Sequence, residues 1–143
     1  MLECNLEVKQ GSKQITLRLL ISNQGSADRS FTFRSSQEVD FVIEYQGKPV
    51  WRWSEDRAFT MAVHDKKITK GQTVTPYEVA WPKQDSLGNP LKPGRYVVKA
   101  YFLGEGKQPE GGNTRDGGNT RDGGNTRDAG EKFLVASQEI SLG

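Results

Sequence analysis

The segment RYVVKAYFL, residues 95–103, carries the clearest β-strand pattern in the chain. Tyr96, Val98, Ala100 and Phe102 alternate with a second row of side chains, and successive side chains of a strand point to opposite faces of a sheet. The segment therefore predicts a β-strand with one row directed at a core. The same period of two recurs over most of the chain.

Alternation extends from this strand in both directions. It appears toward the N-terminus and again toward the C-terminus, in segments 2–8, 15–21, 31–33, 41–53, 59–63, 77–81 and 133–142. Gly47 supplies a turn that makes residues 39–54 a hairpin. No segment has a helical period, so we predict an all-β fold, an immunoglobulin-like antiparallel β-sandwich of about eight strands. The whole chain, residues 1–143, is expected to form a single domain.

The predicted core takes one side-chain row from each strong strand: Leu17, Leu19, Phe41, Ile43, Trp51, Trp53, Tyr77, Trp81, Tyr96, Val98 and Phe102. Trp51 and Trp53 share a strand face, which favours a core role over a carbohydrate or peptide platform and directs Arg52 to solvent. Residues 66–72 are expected to form a polar turn. Pro76 indicates an edge strand or a bulge.

A perfect tandem repeat interrupts the pattern near the C-terminus. The word GGNTRD occurs three times in residues 111–128, inside a predicted low-complexity loop at 104–130 that joins the last two strands. Its period and residue types do not fit a calcium β-roll, a glycosylation sequon or a phosphate loop. Because loop closure costs only about 0.6 kcal/mol per doubling of length, a long insert is tolerable here. Whether the repeat is natural or engineered, and whether it has a role, stays open.

Composition limits the classes of function. The net charge is +2 and the chain has no basic run, which argues against a nucleic-acid-binding protein. Cys4 is the only cysteine, so neither an internal disulfide nor a cysteine-based zinc site can form. Without a stretch resembling a signal peptide or a membrane span, we expect a cytoplasmic protein that does not bind membranes.

The sequence offers little for catalysis. His64 is the only histidine, and it stands beside Asp65 at the end of a predicted strand. No serine lies in a nucleophile-elbow motif, so we expect a surface histidine and no enzymatic activity. One histidine without a carboxylate cluster also predicts no metal site, and we expect no cofactor.

Three motifs together resemble the BsuPI family of intracellular proteinase inhibitors. They are PVWRWSEDRAFTMAV at 49–63, GQTVTPYEVAWP at 71–82 and PLKPGRYVVKAYF at 90–102. The similarity covers roughly residues 5 to 103, with Asn23 near the end of an N-terminal strand, and leaves the repeat outside. The resemblance implies an immunoglobulin-like sandwich and, for founding members, inhibition of an intracellular subtilisin-type serine protease. It carries over no reactive-site residue.

Two loops are candidates for contact with a partner such as an intracellular serine protease. The first is DSLGNPL at 85–91, in which Leu87 is an apolar side chain that suits a subtilisin pocket and the prolines stiffen the flank. The second follows Trp53. The candidate residues are Asp85, Ser86, Leu87, Gly88, Asn89, Pro90 and Leu91, with Glu55, Asp56 and Arg57. The loop at 85–91 could also be a plain connector. A non-inhibitory interaction or assembly module, or an engineered loop-insertion scaffold, is the alternative to non-covalent inhibition.

Overall fold

The computed structural model describes residues 2–106 and 133–142. This part of the chain contains strands and one short 3-10 helix, Trp53–Asp56, and the all-β prediction is confirmed. The strands are β1 (Leu2–Gln10), β2 (Ile15–Asn23), β3 (Arg29–Phe33), β4 (Val39–Tyr45), β5 (Lys48–Arg52), β6 (His64–Ile68), β7 (Tyr77–Trp81), β8 (Gly94–Phe102), β9 (Glu105–Gly106) and β10 (Leu134–Leu142).

The strands form three antiparallel sheets, with orders β1-β2-β7, β10-β8-β4-β5 and β6-β3-β9. β8, the strand that the sequence marks most strongly, lies between β4 and β10. The last two long strands, β8 and β10, pair antiparallel, with a register shift between Leu134 and Ala136. β7 is an edge strand, as Pro76 indicated. Residues 105–106, which the sequence placed in the loop, form β9, and the repeat lies outside the described residues.

Side chains from all three sheets meet in one core. In β2 the alternation is complete, because Ile15, Leu17, Leu19 and Ile21 are all fully buried. Eight of the predicted core residues are buried, namely Leu17, Leu19, Phe41, Ile43, Trp81, Tyr96, Val98 and Phe102. Trp51, Trp53 and Tyr77 are half-buried and pack against this core. The ring of Trp81 links the β1-β2-β7 sheet to the β10-β8-β4-β5 sheet, since its centroid lies 6.0 Å from that of Trp51 and 6.3 Å from that of Tyr96.

A buried asparagine joins two neighbouring turns. Asn23 is fully buried at the end of β2, and its Nδ2 donates to the carbonyls of Ala27 and Ile68, each at 2.9 Å. Its Oδ1 accepts from the N–H of Gly25 at 2.9 Å, while its main chain bonds Gly71 and Gln72. A buried polar side chain is stable only when it is hydrogen-bonded, so Asn23 ties the β2–β3 turn to the β6–β7 turn.

Of two sequence-based assignments between β5 and β7, one is wrong and the other holds only in part. The segment 59–63 is not a strand, and Met61 and Val63 are 82% and 67% exposed. The first three residues of the expected polar turn at 66–72 belong to β6, which pairs with β3, while residues 69–72 lie outside any strand and the chain turns at Lys70 and Gly71. β6 alternates exposed polar with half-buried side chains and contains one fully buried apolar residue, Ile68, so it lacks an apolar period.

Candidate functional site

The loop at 85–91 is a compact turn closed by its own hydrogen bonds. Oδ1 of Asp85 accepts from the N–H groups of Leu87 and Asn89, both at 2.9 Å, and these bonds lower the pKa of its carboxyl. The N–H of Gly88 donates to the Asp85 carbonyl at 2.9 Å, and Gly88 has a φ of +86°, which glycine adopts without strain. Leu87 projects from this turn and is 86% exposed.

The turn is fastened to the outer edge of β5. The N–H of Ser86 donates to the carbonyl of Val50 at 2.9 Å, and its hydroxyl also donates to the Glu55 carboxylate. At the base of the turn, Nε1 of Trp81 donates to the carbonyl of Gln84 at 2.9 Å. The two loops singled out from the sequence are therefore neighbours, joined through Ser86 and Glu55.

Pro90, Leu91 and Arg57 are further candidate residues from the sequence. Pro90 pairs with Gln84 in an isolated bridge, which closes the base of the turn, and Leu91 packs partly against the core. The guanidinium of Arg57 lies 4.7 Å from the ring centroid of Trp53, in a cation–π contact. The structure thus presents one apolar side chain, Leu87, on a braced support with charged residues nearby. We name residues 84–91 with Glu55 the Leu87 turn.

The 3-10 helix that carries Glu55 is held by Asp40, a residue that the sequence did not reveal. Asp40 is 6% exposed. Its Oδ2 accepts from the hydroxyl of Ser54 at 2.7 Å and from Arg52 at 3.1 Å, and its Oδ1 accepts from the N–H groups of Phe41 and Ser54. The sequence pattern directs Arg52 to solvent, but its guanidinium is paired with the Asp40 carboxylate.

A second polar cluster surrounds Glu38, just before β4. Its Oε1 accepts from Tyr77 at 2.6 Å and Lys66 at 2.8 Å, and its Oε2 lies 2.7 Å from Nε2 of His64. Burial alone would raise the pKa of Glu38, but hydrogen bonds from Lys66, Tyr77 and His64 hold it below its ordinary value. Burial and the bond to Glu38 raise the pKa of Tyr77.

His64 is more constrained than the expected surface histidine. Its side chain is 33% exposed and its ring stacks on Phe33 with centroids 5.0 Å apart. Its Nδ1 lies 3.2 Å from the carbonyl of Ala62, and the bonds to Glu38 and to this carbonyl raise the pKa of the imidazole. Since both ring nitrogens face acceptors, the imidazolium fits this site better than the neutral ring. Within residues 2–106 and 133–142, no group of three potential metal ligands is found.

Comparison with known proteins identifies the family. The BsuPI family, described as intracellular proteinase inhibitor, matches residues 2–107. The chain belongs to the BsuPI family. The match takes in the Leu87 turn, the Asp40 support and the Glu38 cluster, and it leaves β10 and the repeat outside. The family description is that of an inhibitor and not of an enzyme.

Likenesses to solved structures are distant. Two β-glucosidase structures from Kluyveromyces marxianus, one selenomethionine-labelled and one in complex with glucose, share 9% and 10% identity with TM-scores of 0.45 and 0.46. Each match covers 100% of this chain, which spans only 14% of the β-glucosidase chain. The solution structure of CsgH from R. palustris shares 15% identity over 71% of this chain and 80% of that one, with a TM-score of 0.32. No curated protein matches.

The BsuPI motifs themselves mostly build the scaffold. Trp51 and Trp53 pack against the core, and Arg52 and Ser54 bind Asp40. At the start of β8, a side chain on Gly94 would lie 3.2 Å from the Tyr45 ring, and Gly94 has a φ of +145°. These residues therefore explain why the sequence folds as it does. Beside them, Leu87, Met61 and Val63 are large hydrophobic residues that stay exposed.

No described helix is long and apolar enough to cross a membrane. The repeat, residues 111–128, and most of the loop predicted at 104–130 lie outside the described residues.

Proposed function

We propose that this BsuPI chain is an intracellular inhibitor that binds a subtilisin-type serine protease without forming a covalent bond. Its strands are proposed to form an immunoglobulin-like sandwich that carries the contact residues on exposed segments. The family description supports the inhibitory role. The observation that carries the proposal is the Leu87 turn, which exposes a large apolar side chain on a support held by hydrogen bonds.

Rigidity matters because binding must offset the cost of ordering whatever moves in the free protein. Each flexible side chain that is immobilised costs about 0.5–1.5 kcal/mol, and loops add more. Asp85 already orders the turn, while Ser86 fixes it to β5 and to the 3-10 helix. An apolar side chain fixed in this way can enter a pocket on the partner at low entropic cost.

The Leu87 turn does not have the form of a bound substrate. Residues 85–88 are closed by the bond from the Gly88 N–H to the Asp85 carbonyl, whereas a peptide that adds to a sheet edge is extended. We therefore propose that Leu87 contacts the protease beside its substrate cleft.

Titration of a subtilisin-type protease with the purified chain tests the proposal. We expect stoichiometric loss of peptidase activity that is reversed on dilution, and a loss of affinity of about 10-fold or more in Leu87→Asp. Ser12→Asp is the matched control, since it adds one negative charge to an exposed turn between β1 and β2. Binding without loss of activity would favour the interaction or assembly module instead. Absence of both would refute the proposal.

A further inference from the structure

The segment from Phe59 to Val63 has the hydrogen-bonding pattern of a strand edge with one side occupied. It runs without turn or bend, and it is preceded by Arg57 in extended backbone with φ −126° and ψ 153°. The N–H of Thr60 donates to Oγ of Ser36 at 3.0 Å, and the Thr60 carbonyl accepts from the Ser36 N–H at 2.9 Å. The carbonyl of Ala62 faces Nδ1 of His64 at 3.2 Å.

Alternate residues of an extended chain direct their main-chain groups to opposite sides. The main-chain groups of Thr60 face Ser36 in the body of the protein, and the Ala62 carbonyl faces the His64 ring. Phe59, Met61 and Val63 therefore direct their N–H and carbonyl groups outward, and no hydrogen bond to these groups is found among the described residues. Such a row of free donors and acceptors is a template for pairing with another chain.

The segment is anchored at both ends. The ring of Phe59 lies 5.7 Å from that of Trp53, and His64 is held by Glu38 and by its stack on Phe33. Between these anchors the side chains of Met61 and Val63 are exposed. Together with Leu87 they are the exposed large hydrophobic residues of the described chain. Two neighbouring apolar side chains exposed on an anchored strand edge form a patch of the kind that partners bind.

From this geometry we infer that Phe59–Val63 is the substrate-like segment of the inhibitor. Its outward edge pairs with the main chain that lines the protease's substrate cleft, and Met61 fills the apolar pocket for the residue that precedes the scissile bond. Met61 fits that role because it is unbranched and adaptable, whereas Val63 is β-branched and stiff. The inference rests on the proposed function and specifies which segment occupies the cleft, leaving Leu87 to bind outside it.

Affinity measurements on three variants test the inference. Met61→Asp should weaken inhibition at least about 100-fold, because it places a charge in an apolar pocket. Met61→Phe, which keeps a large apolar side chain, should stay within about 10-fold of the parent protein. Ser12→Asp again controls for the added charge. Since Met61 is exposed, thermal melts of all variants should coincide.

A second measurement uses protease whose substrate cleft is filled by a covalent peptide inhibitor. This protease should no longer bind the chain. If the parent protein inhibits but Met61→Asp inhibits equally well, or if the filled protease still binds with the parent affinity, the inference is wrong and the proposed function stands. If the parent protein does not inhibit the free protease, the proposed function fails, and this inference fails with it.

Discussion

Replacement of the buried Asp40 should strongly destabilise the protein, because its side chain holds several main-chain and side-chain groups at once. The carboxylate accepts four hydrogen bonds, from the N–H groups of Phe41 and Ser54, the hydroxyl of Ser54 and the guanidinium of Arg52. Asp40→Ala removes all four and leaves two main-chain N–H groups without their acceptor. At about 1–3 kcal/mol for each buried group left unsatisfied, we expect a loss of roughly 3–5 kcal/mol in the free energy of unfolding.

Asp40→Asn should cost less. The amide oxygen can still accept from the two main-chain N–H groups, but the amide nitrogen then faces Arg52, which is a donor. Loss of the charge-assisted bond predicts about 1–3 kcal/mol. Arg52 is 44% exposed and can turn to water, so it does not become a buried unpaired charge.

Urea unfolding monitored by tryptophan fluorescence measures the free energy of unfolding of both Asp40 variants, and a thermal melt measures their Tm. A domain of this size loses roughly 4 °C in Tm per kcal/mol, so Asp40→Ala should lower Tm by about 12–20 °C. Glu7→Gln is the control, because Glu7 is 60% exposed and lies 3.9 Å from Arg18, a surface pair worth at most about 1 kcal/mol. If Asp40→Ala cost less than about 1 kcal/mol, Asp40 would not be what holds the 3-10 helix.

Three further predictions follow from other parts of the chain. Asn23→Ala should lower the free energy of unfolding by about 3 kcal/mol, because buried carbonyl and N–H groups lose their partner; Gln24→Ala should stay within about 0.5 kcal/mol in the same urea titration. The pKa of His64 is raised on folding, so protonation of His64 stabilises the fold. This contribution is fully present below pH 6.5, the ordinary pKa of histidine, and is lost as pH rises through the pKa of the folded state. His64→Gln should remove that fall in stability, and an unchanged pH profile would contradict the ion pair with Glu38. Shortening residues 111–128 from three repeats to one should change stability by under about 1 kcal/mol, whereas a calcium-dependent rise in Tm seen only with three repeats would show an ordered role.

The apolar skeleton of this fold is readable because it depends on a short period. In β2, each of the alternating residues Ile15, Leu17, Leu19 and Ile21 is fully buried, since a strand must direct every second side chain to the same face. The hairpin at Gly47 is likewise local, with Gln46 and Gly47 both at positive φ. Where neighbours in sequence are also neighbours in the structure, pattern alone is sufficient.

The buried polar residues that hold the fold together cannot be predicted from sequence patterns, because their partners are distant in sequence. Glu38 binds His64, Lys66 and Tyr77, which lie 26, 28 and 39 positions away, and Asn23 binds Ile68 across 45 positions. No period or composition marks which carboxylate or amide will be buried. The candidate loops at 85–91 and 55–57 could be named from their residue types, but their contact through Ser86 and Glu55 depends on how β5 is placed.

The segment Phe59–Val63 shows how a wrong strand prediction can point to a binding site. Alternation of Phe59, Met61 and Val63 indicates extended backbone, and the main-chain bonds of Thr60 and Ala62 agree with that conformation. The apolar row is not buried, because a strand buries such a row only if another layer covers it. No described element of this chain covers Met61. Here the sequence pattern calls for a buried apolar row, but the structure leaves that row exposed. In natural proteins such disagreements occur chiefly at functional sites. If the missing layer is the protease, the pattern that predicts a strand is fulfilled when the complex forms, and Met61 should be protected from oxidation in the complex but not in the free protein.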